Sequence, residues 1–261
     1  MLRGLVKQRG LLASMANREI WGRYKGSTMG IAWSLVTPLL MLVVYTAVFG
    51  GIFKARWGGT GTTTEFALNL FCGLIVHGLL SDCLSRAPTK LIDHANYVKK
   101  VVFPLEILPV IVVSSALFHT AISLIVLLVA AAALNGGLSL TVLALPFVLV
   151  PLLLLCLGVS WFLAATTVFI RDIAQTTGLV SALLLFLSPI FYPVSMIPEA
   201  YQPLMNMNPL TTPVEQLRLI VMLGQWPDWG VLALHTLMGL VAAWAGYAWF
   251  QKTRKGFADV L

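Results

Sequence analysis

The sequence predicts an all-α integral membrane protein with six transmembrane helices and cytoplasmic N- and C-termini. An N-terminal amphipathic interfacial helix and short re-entrant helices between spans five and six complete the expected fold. Three observations predict it. Of 261 residues, 59% are apolar and 10% charged, against roughly 45–50% and 25% in soluble domains. Six apolar runs each approach the roughly 20 residues needed to cross a bilayer. Lys and Arg are divided unevenly among the connections between them. In lipid a spanning segment must satisfy its own backbone, which restricts it to a helix or a closed barrel. Runs this long and uniformly apolar read as helices.

Residues 1–29 come first, as an amphipathic surface segment. On a helical wheel from Leu2 to Arg23, Leu2, Leu5, Val6, Leu12, Ala16 and Ile20 fall within a sector of roughly 120°. Arg3, Lys7, Ser14 and Arg18 lie opposite, while Arg9 and Leu11 break the pattern. Two readings fit: an interfacial helix held by anionic lipid, or a lateral gate that touches a lipid headgroup and a partner. The long apolar run begins only near Gly30, after this polar stretch. That is the wrong layout for a cleaved signal peptide, so the first span is expected to stay in the membrane.

Residues 30–261 hold the spans: Gly30 to Phe53, Phe66 to Ser85, Pro104 to Leu134, Leu140 to Ile170, Ile173 to Phe191 and Trp229 to Phe250. Arg3, Lys7, Arg9, Arg18, Arg23 and Lys25 precede the first. Arg86, Lys90, Lys99 and Lys100 separate the second from the third, Arg171 separates the fourth from the fifth, and Lys252, Arg254 and Lys255 follow the sixth. Only Lys54, Arg56 and Arg218 fall on the other side. Positive charge marks the cytoplasmic face, which places both termini there. The external segment 191–228 is broken by Pro193, Pro198, Pro203, Pro209 and Pro213 yet stays apolar, the pattern of short helices dipping into the outer leaflet. Within it, Thr212-Pro213-Val214-Glu215 predicts a helix start with Thr212 as N-cap and Glu215 closing a capping box, running to about Leu223.

Charge placement excludes several functions. No acid is central to a span, as proton- or sodium-driven transport usually requires. His77, His119 and His235 sit on three spans without acidic neighbours and read as packed or hydrogen-bonded helix residues. There is no Walker A sequence, HExxH, DxD or grouped Ser/His/Asp, so no catalytic residue and no metal site is expected. Cys72, Cys83 and Cys156, odd in number and without CxxC spacing, read as small apolar fillers. If transport is active, its energy comes from another chain.

Four features remain open on the residues alone. The loop 86–103 carries Leu91, Ile92, Tyr97 and Val98 among charges, and wants a cover, either the chain's own spans or a soluble partner. Arg171-Asp172 reads as a functional motif or as helix-end chemistry, with Arg171 on the dipole of span four and Asp172 with Gln175 capping span five. Glu215 and Arg218 read as a cap and its surface neighbour, or as a functional pair. Tyr45, Phe49 and Phe53 recur at i, i+4 and i+8, and Phe191 and Tyr192 share their depth. They read as an interfacial belt or as a pore lining on which sugar rings stack.

Several segments then converge. Arg18-Glu19-Ile20-Trp21-Gly22-Arg23-Tyr24-Lys25-Gly26-Ser27, Gly30-Ile31-Ala32-Trp33, Tyr97-Val98-Lys99-Lys100 and Phe103-Pro104-Leu105-Glu106 resemble the membrane subunit of bacterial polysaccharide-exporting ABC transporters. So do Phe169-Ile170-Arg171-Asp172-Ile173, Ser188-Pro189-Ile190-Phe191-Tyr192-Pro193, Asn208-Pro209 and the tail from Lys255 to Leu261. Their order resembles the ABC-2 permeases that export O-antigen, capsule and teichoic acid.

The resemblance implies a homodimer in the bacterial inner membrane, bound by two copies of a separate ATPase that carries ATP and magnesium. No cofactor is expected on this chain, and nucleic acid is not an expected partner. It also implies a gate at the N-terminal helix, with Arg18, Arg23 and Lys25 meeting a lipid diphosphate. Lys90, Leu91, Ile92, Tyr97, Lys99 and Lys100 then belong to a coupling loop that docks on the ATPase. Tyr45, Phe49, Phe53, Phe191 and Tyr192 become candidates for the glycan channel, while Arg171, Asp172, Glu215 and Arg218 are structural. The expected cargo is a lipid-linked polysaccharide, O-antigen first. The alternatives are an ABC-2 permease for a drug or small lipid, and a membrane enzyme acting on a lipid-linked sugar.

Overall fold

The computed structural model describes residues 8–57, 62–98 and 103–261. All regular structure among them is helical. Helix α1 (Arg9–Gly22) precedes a long apolar helix made of a 3₁₀ turn at Gly30–Ala32, α2 (Trp33–Tyr45) and a π-helical stretch at Thr46–Ile52. Then come α3 (Thr63–Arg86), the short α4 (Ala95–Val98), α5 (Ile107–Asn135), α6 (Leu145–Phe169) and α7 (Ile173–Leu187). The chain ends in α8 (Gln202–Asn206), α9 (Thr211–Val221), α10 (Trp229–Thr253) and α11 (Phe257–Val260).

Five of these segments are long and apolar enough to cross a membrane: Gly30–Ile52, Thr63–Arg86, Ile107–Leu134, Leu140–Phe169 and Trp229–Val260. The expected fifth span is shorter than the sequence suggests, because α7 stops after 15 residues at Leu187. Ser188 is extended, with ψ 153°, as a residue before proline prefers. Phe191 and Tyr192 therefore lie beyond the helix, not on it.

Helix starts explain themselves locally, though not always where expected. Thr62 caps α3: its Oγ1 accepts from the Glu65 N–H at 3.2 Å, and Glu65 Oε2 accepts from the Thr62 N–H at 2.9 Å. Asp228 caps α10 by accepting from Val231 N–H at 3.0 Å. The capping box expected at Thr212 and Glu215 does not form. Helix α9 begins two residues earlier and ends at Val221, with Leu210 at the N-cap position and no side-chain cap. Nor does Asp172 cap α7 through its side chain; it and Arg171 are exposed.

Helix α3 is the hub. Its most apolar window is 72% buried inside the chain, against 6% for the first span, so most of the first span's surface lies outside this polypeptide. Helices α6 and α10 approach most closely. A Cβ on Gly158 would strike the Ala242 carbonyl, and one on Gly246 would strike the Gly158 carbonyl. Small residues permit such approach where lipid offers no hydrophobic gain from association.

Two clusters mark the ends of the bundle. One gathers Met15 and Ala16 of α1, Leu91 and Val98 of the loop after α3, the start of α5, Trp161, and Phe250 and Phe257 near the C-terminus. The described N-terminal helix, that loop and the C-terminal helix thus share one end. At the other, Phe66, Leu70 and Ile190 pack with Tyr45, Phe49, Trp57 and Phe191.

Candidate functional site

The end that gathers α1 carries a chain of charges. Glu19 divides its carboxylate, Oε1 accepting from Arg86 Nη2 at 2.5 Å and Oε2 from Lys90 Nζ at 2.7 Å. Arg86 also reaches Asp82 at 3.2 Å, and Asp82 pairs with Arg23 at 2.5 Å. Burial works to raise the Glu19 pKa, but the hydrogen bonds and charges of Lys90 and Arg86 outweigh it. They hold the carboxyl below its ordinary 4.5, so Glu19 is an anion at neutral pH. Close by, Arg254 meets Glu106 at 3.0 Å, and Trp161 Nε1 donates to the Glu106 carbonyl at 2.9 Å.

This geometry sorts the expected gate and coupling residues. Arg18 is exposed and donates to the Tyr97 hydroxyl at 3.4 Å. With Trp21, Tyr24 and exposed Lys25 it lines a surface groove of about 320 Å³. Arg23 turns toward Asp82 and lines a separate cavity of about 370 Å³ between the first span, α3 and α5, whose walls include Tyr45, His119, Thr120 and Ser123. Lys90 points inward to Glu19, and Leu91 is fully buried. The cover that Leu91 and Val98 require is thus the chain's own helices. Ile92 is half-buried, while Tyr97 stacks between His94 and Phe103, with ring centroids at 5.7 and 4.5 Å. Arg3, Lys7, Lys99 and Lys100, with Leu2, Leu5 and Val6, lie outside the described residues.

At the opposite end the aromatic residues converge only in part. Phe49 contacts Tyr45 at 6.4 Å, Phe53 at 5.8 Å and Phe66 at 5.5 Å between ring centroids. The stripe survives the π-helical winding, a variation that occurs mostly as short insertions and often at functional sites. Phe53 projects outward, 68% exposed, whereas Tyr45 and Phe49 are half-buried. Phe191 stacks on Phe186 at 5.9 Å, and the Tyr192 hydroxyl donates to the Phe186 carbonyl at 3.1 Å.

The turn just before Phe191 is held by Arg218, read from the sequence as a surface neighbour of Glu215 or its functional partner, and found 4% exposed. Its Nη1 donates to the Pro189 carbonyl at 2.7 Å and to Glu215 at 2.8 Å, its Nη2 to the Ile190 carbonyl at 2.9 Å, and its Nε to the Asn69 carbonyl at 3.1 Å. The guanidinium also lies 4.3 Å from the centre of the Trp57 ring, a cation–π contact. Asn208 completes the turn by donating to the Leu187 carbonyl and to Ser188 Oγ, each at 3.0 Å.

His77 meets the Ser181 carbonyl at 3.0 Å, and His119 meets the Tyr24 hydroxyl at 3.3 Å. Among the described residues no group of His, Cys, Asp and Glu is placed to hold a metal ion, and the cysteines are buried thiols. Cations and flat rings placed like this can bind and guide an anionic, ring-bearing ligand.

The profile of ABC-2 type transporters matches residues 10–222. The chain belongs to the ABC-2 type transporter family. This ABC-2 chain is therefore a multi-pass inner-membrane protein. It is 28% identical over 261 residues to the O-antigen export system permease protein RfbA of Myxococcus xanthus, covering 99% of this chain and 98% of that one. A protein of the same description from Klebsiella pneumoniae is 24% identical over 253 residues, covering 96% and 95%. Sequence reasoning names Lys90 as a coupling-loop residue and Arg218 as a structural one, but it neither joins Lys90 to Glu19 and Arg86 nor places Arg218 in the interior. A signal existed for the first: Glu19 stands beside Ala16 and Ile20 on the apolar side of α1, where an acid needs a cation.

Proposed function

We propose that this chain is the permease subunit of an ATP-driven exporter that moves lipid-linked polysaccharide, O-antigen in the first instance, across the cytoplasmic membrane. The single observation that carries this reading is the end-to-end likeness to permeases described as O-antigen exporters. In this reading α7 with the turn after it completes six spans, both termini are cytoplasmic, and the segment 191–228 re-enters the outer leaflet. Two copies of the chain pair, and two copies of an ATPase dock on the loop after α3.

The groove of Arg18, Trp21, Tyr24 and Lys25 suits a lipid-linked diphosphate, since two cations attract the phosphates and flat rings cover the first sugar. Arg23 serves from behind, through Asp82. Exposed Phe53 and half-buried Phe191 and Tyr192 offer repeated weak stacking along the exit. A chain that must slide is better served by such contacts than by one tight site. Lys90 and Leu91 shape the coupling loop from within, leaving its exposed face to the ATPase.

The test is deletion of the gene, with polysaccharide measured at the surface and inside the cell. Export predicts stranded intracellular glycan and its relief by the intact gene. Normal surface polysaccharide without intracellular build-up refutes the reading, and ATP hydrolysis stimulated by small amphiphiles instead would assign a drug or lipid cargo.

A further inference from the structure

Among the described residues, every side-chain hydrogen bond that α1 sends to another helix or loop ends within one stretch, from Arg86 to Tyr97. Glu19 is central to it. One carboxylate oxygen binds the last residue of α3 and the other binds Lys90 four residues on, in the following loop. The Lys90 side chain is only 8% exposed, and Leu91 beside it is fully buried. Lys90 is thus committed to Glu19 and not offered to an external partner. Elsewhere α1 is attached by apolar contact through Met15 and Ala16, and Arg23 at its C-cap pairs with Asp82 of α3, not with the loop. Apolar contact is non-directional and tolerates sliding, whereas charge-assisted hydrogen bonds fix position and direction.

We propose that Glu19 is a positioning residue that ties the N-terminal helix to the loop after α3, so that a displacement of that loop reaches the membrane-surface helix as a single motion. The inference rests on the exporter reading, in which an ATPase moves the loop. Each nucleotide cycle would then shift the Arg18–Lys25 groove together with the loop, since Arg18 and Glu19 are adjacent on the same helix. Without the tie, the loop moves and the helix slides behind.

The test uses the full permease–ATPase complex in cells and in proteoliposomes. E19Q is expected to reach the membrane in normal amount and to support ATP hydrolysis while surface glycan is lost. The double variant E19C/K90C is expected to fail likewise, and to recover export when a short bis-maleimide joins the two new thiols; the native cysteines are buried. Normal export by E19Q overturns the proposal. Parallel loss of abundance, hydrolysis and export overturns it too, because the pair then serves assembly alone. So does a fully cross-linked protein that stays inactive. If deletion of the gene strands no glycan, the exporter reading itself fails; if deletion strands glycan and E19Q still exports, only this link fails.

Discussion

Arg218 donates a 2.7 Å hydrogen bond to the carbonyl of Pro189, which lies 29 residues earlier in the chain. That bond, with its neighbours to Ile190, Asn69 and Glu215, closes the break at the end of α7 onto α3 and α9. Proline at 189 removes a backbone donor and ends the helix. The carbonyls left behind are buried and need donors, and a guanidinium supplies several in one plane.

Replacing Arg218 with Met removes those donors and leaves the carbonyls of Pro189 and Ile190 unpaired beside a solitary Glu215. Each buried acceptor left without a donor costs about 1–3 kcal/mol, while Glu215, with a side chain 38% exposed, can turn to water. R218M is expected to unfold well below the wild type in a thermal scan of detergent-purified protein. R218K, which keeps the charge but not the fork, should fall between them. An unchanged midpoint for R218M would show that the carbonyls find other donors.

The α6–α10 contact admits no side chain at Gly246. In G246V the branched group meets the Gly158 backbone, and overpacking of a tight contact costs about 1–3 kcal/mol. Lower yield of monodisperse protein and faster proteolysis are the expected readouts. G178V, at a glycine with open space around it, should leave both unchanged.

Glu19 makes the attachment of α1 depend on pH in a defined direction. Its carboxyl is held below 4.5 in the folded protein, so the stabilisation it supplies is fully present above the ordinary carboxylate value. It is lost as the pH falls through the lower folded value. Proteolytic release of α1 should therefore differ between wild type and E19Q at neutral pH by a constant amount. That difference should shrink only below pH 4.5. A difference that vanishes near pH 6 would assign the effect to another group.

Exposure separates the aromatic residues into two roles. Phe49 packs on Phe66 at 5.5 Å, so F49A should lower stability, by less than the about 3–5 kcal/mol of a fully buried phenylalanine because Phe49 is half-buried. Phe53, 68% exposed, should tolerate F53A with little thermal change, yet lose surface polysaccharide if it contacts the moving glycan. Equal export by F53A and wild type would remove it from the channel.

Helix existence was legible because apolar runs of spanning length leave no soluble alternative. Boundaries were less so. Two Thr-x-x-Glu sequences occur, at Thr62–Glu65 and Thr212–Glu215, and either satisfies the local rule for a capping box. Only the first forms one. At the second, Glu215 is drawn to Arg218, a competitor that becomes buried through contacts with Asn69, Pro189 and Ile190. Aromatic spacing was likewise visible at Tyr45, Phe49 and Phe53, while their separation into packed and exposed rings was not. It depends on where Phe66 and Trp57 come to lie.

By itself the sequence determined a helical membrane bundle and the uneven placing of its charges, and its 261 residues contain no Walker A pattern. Hydropathy and charge act within one segment, so they can be read one segment at a time. Only the tertiary structure decided that Glu19 answers Arg86 and Lys90 across 67 and 71 residues, and that Arg218 is buried instead of wet. Partner choice among charges depends on which helix ends meet and how much water is left between them, and neither quantity is written in any local stretch of chain.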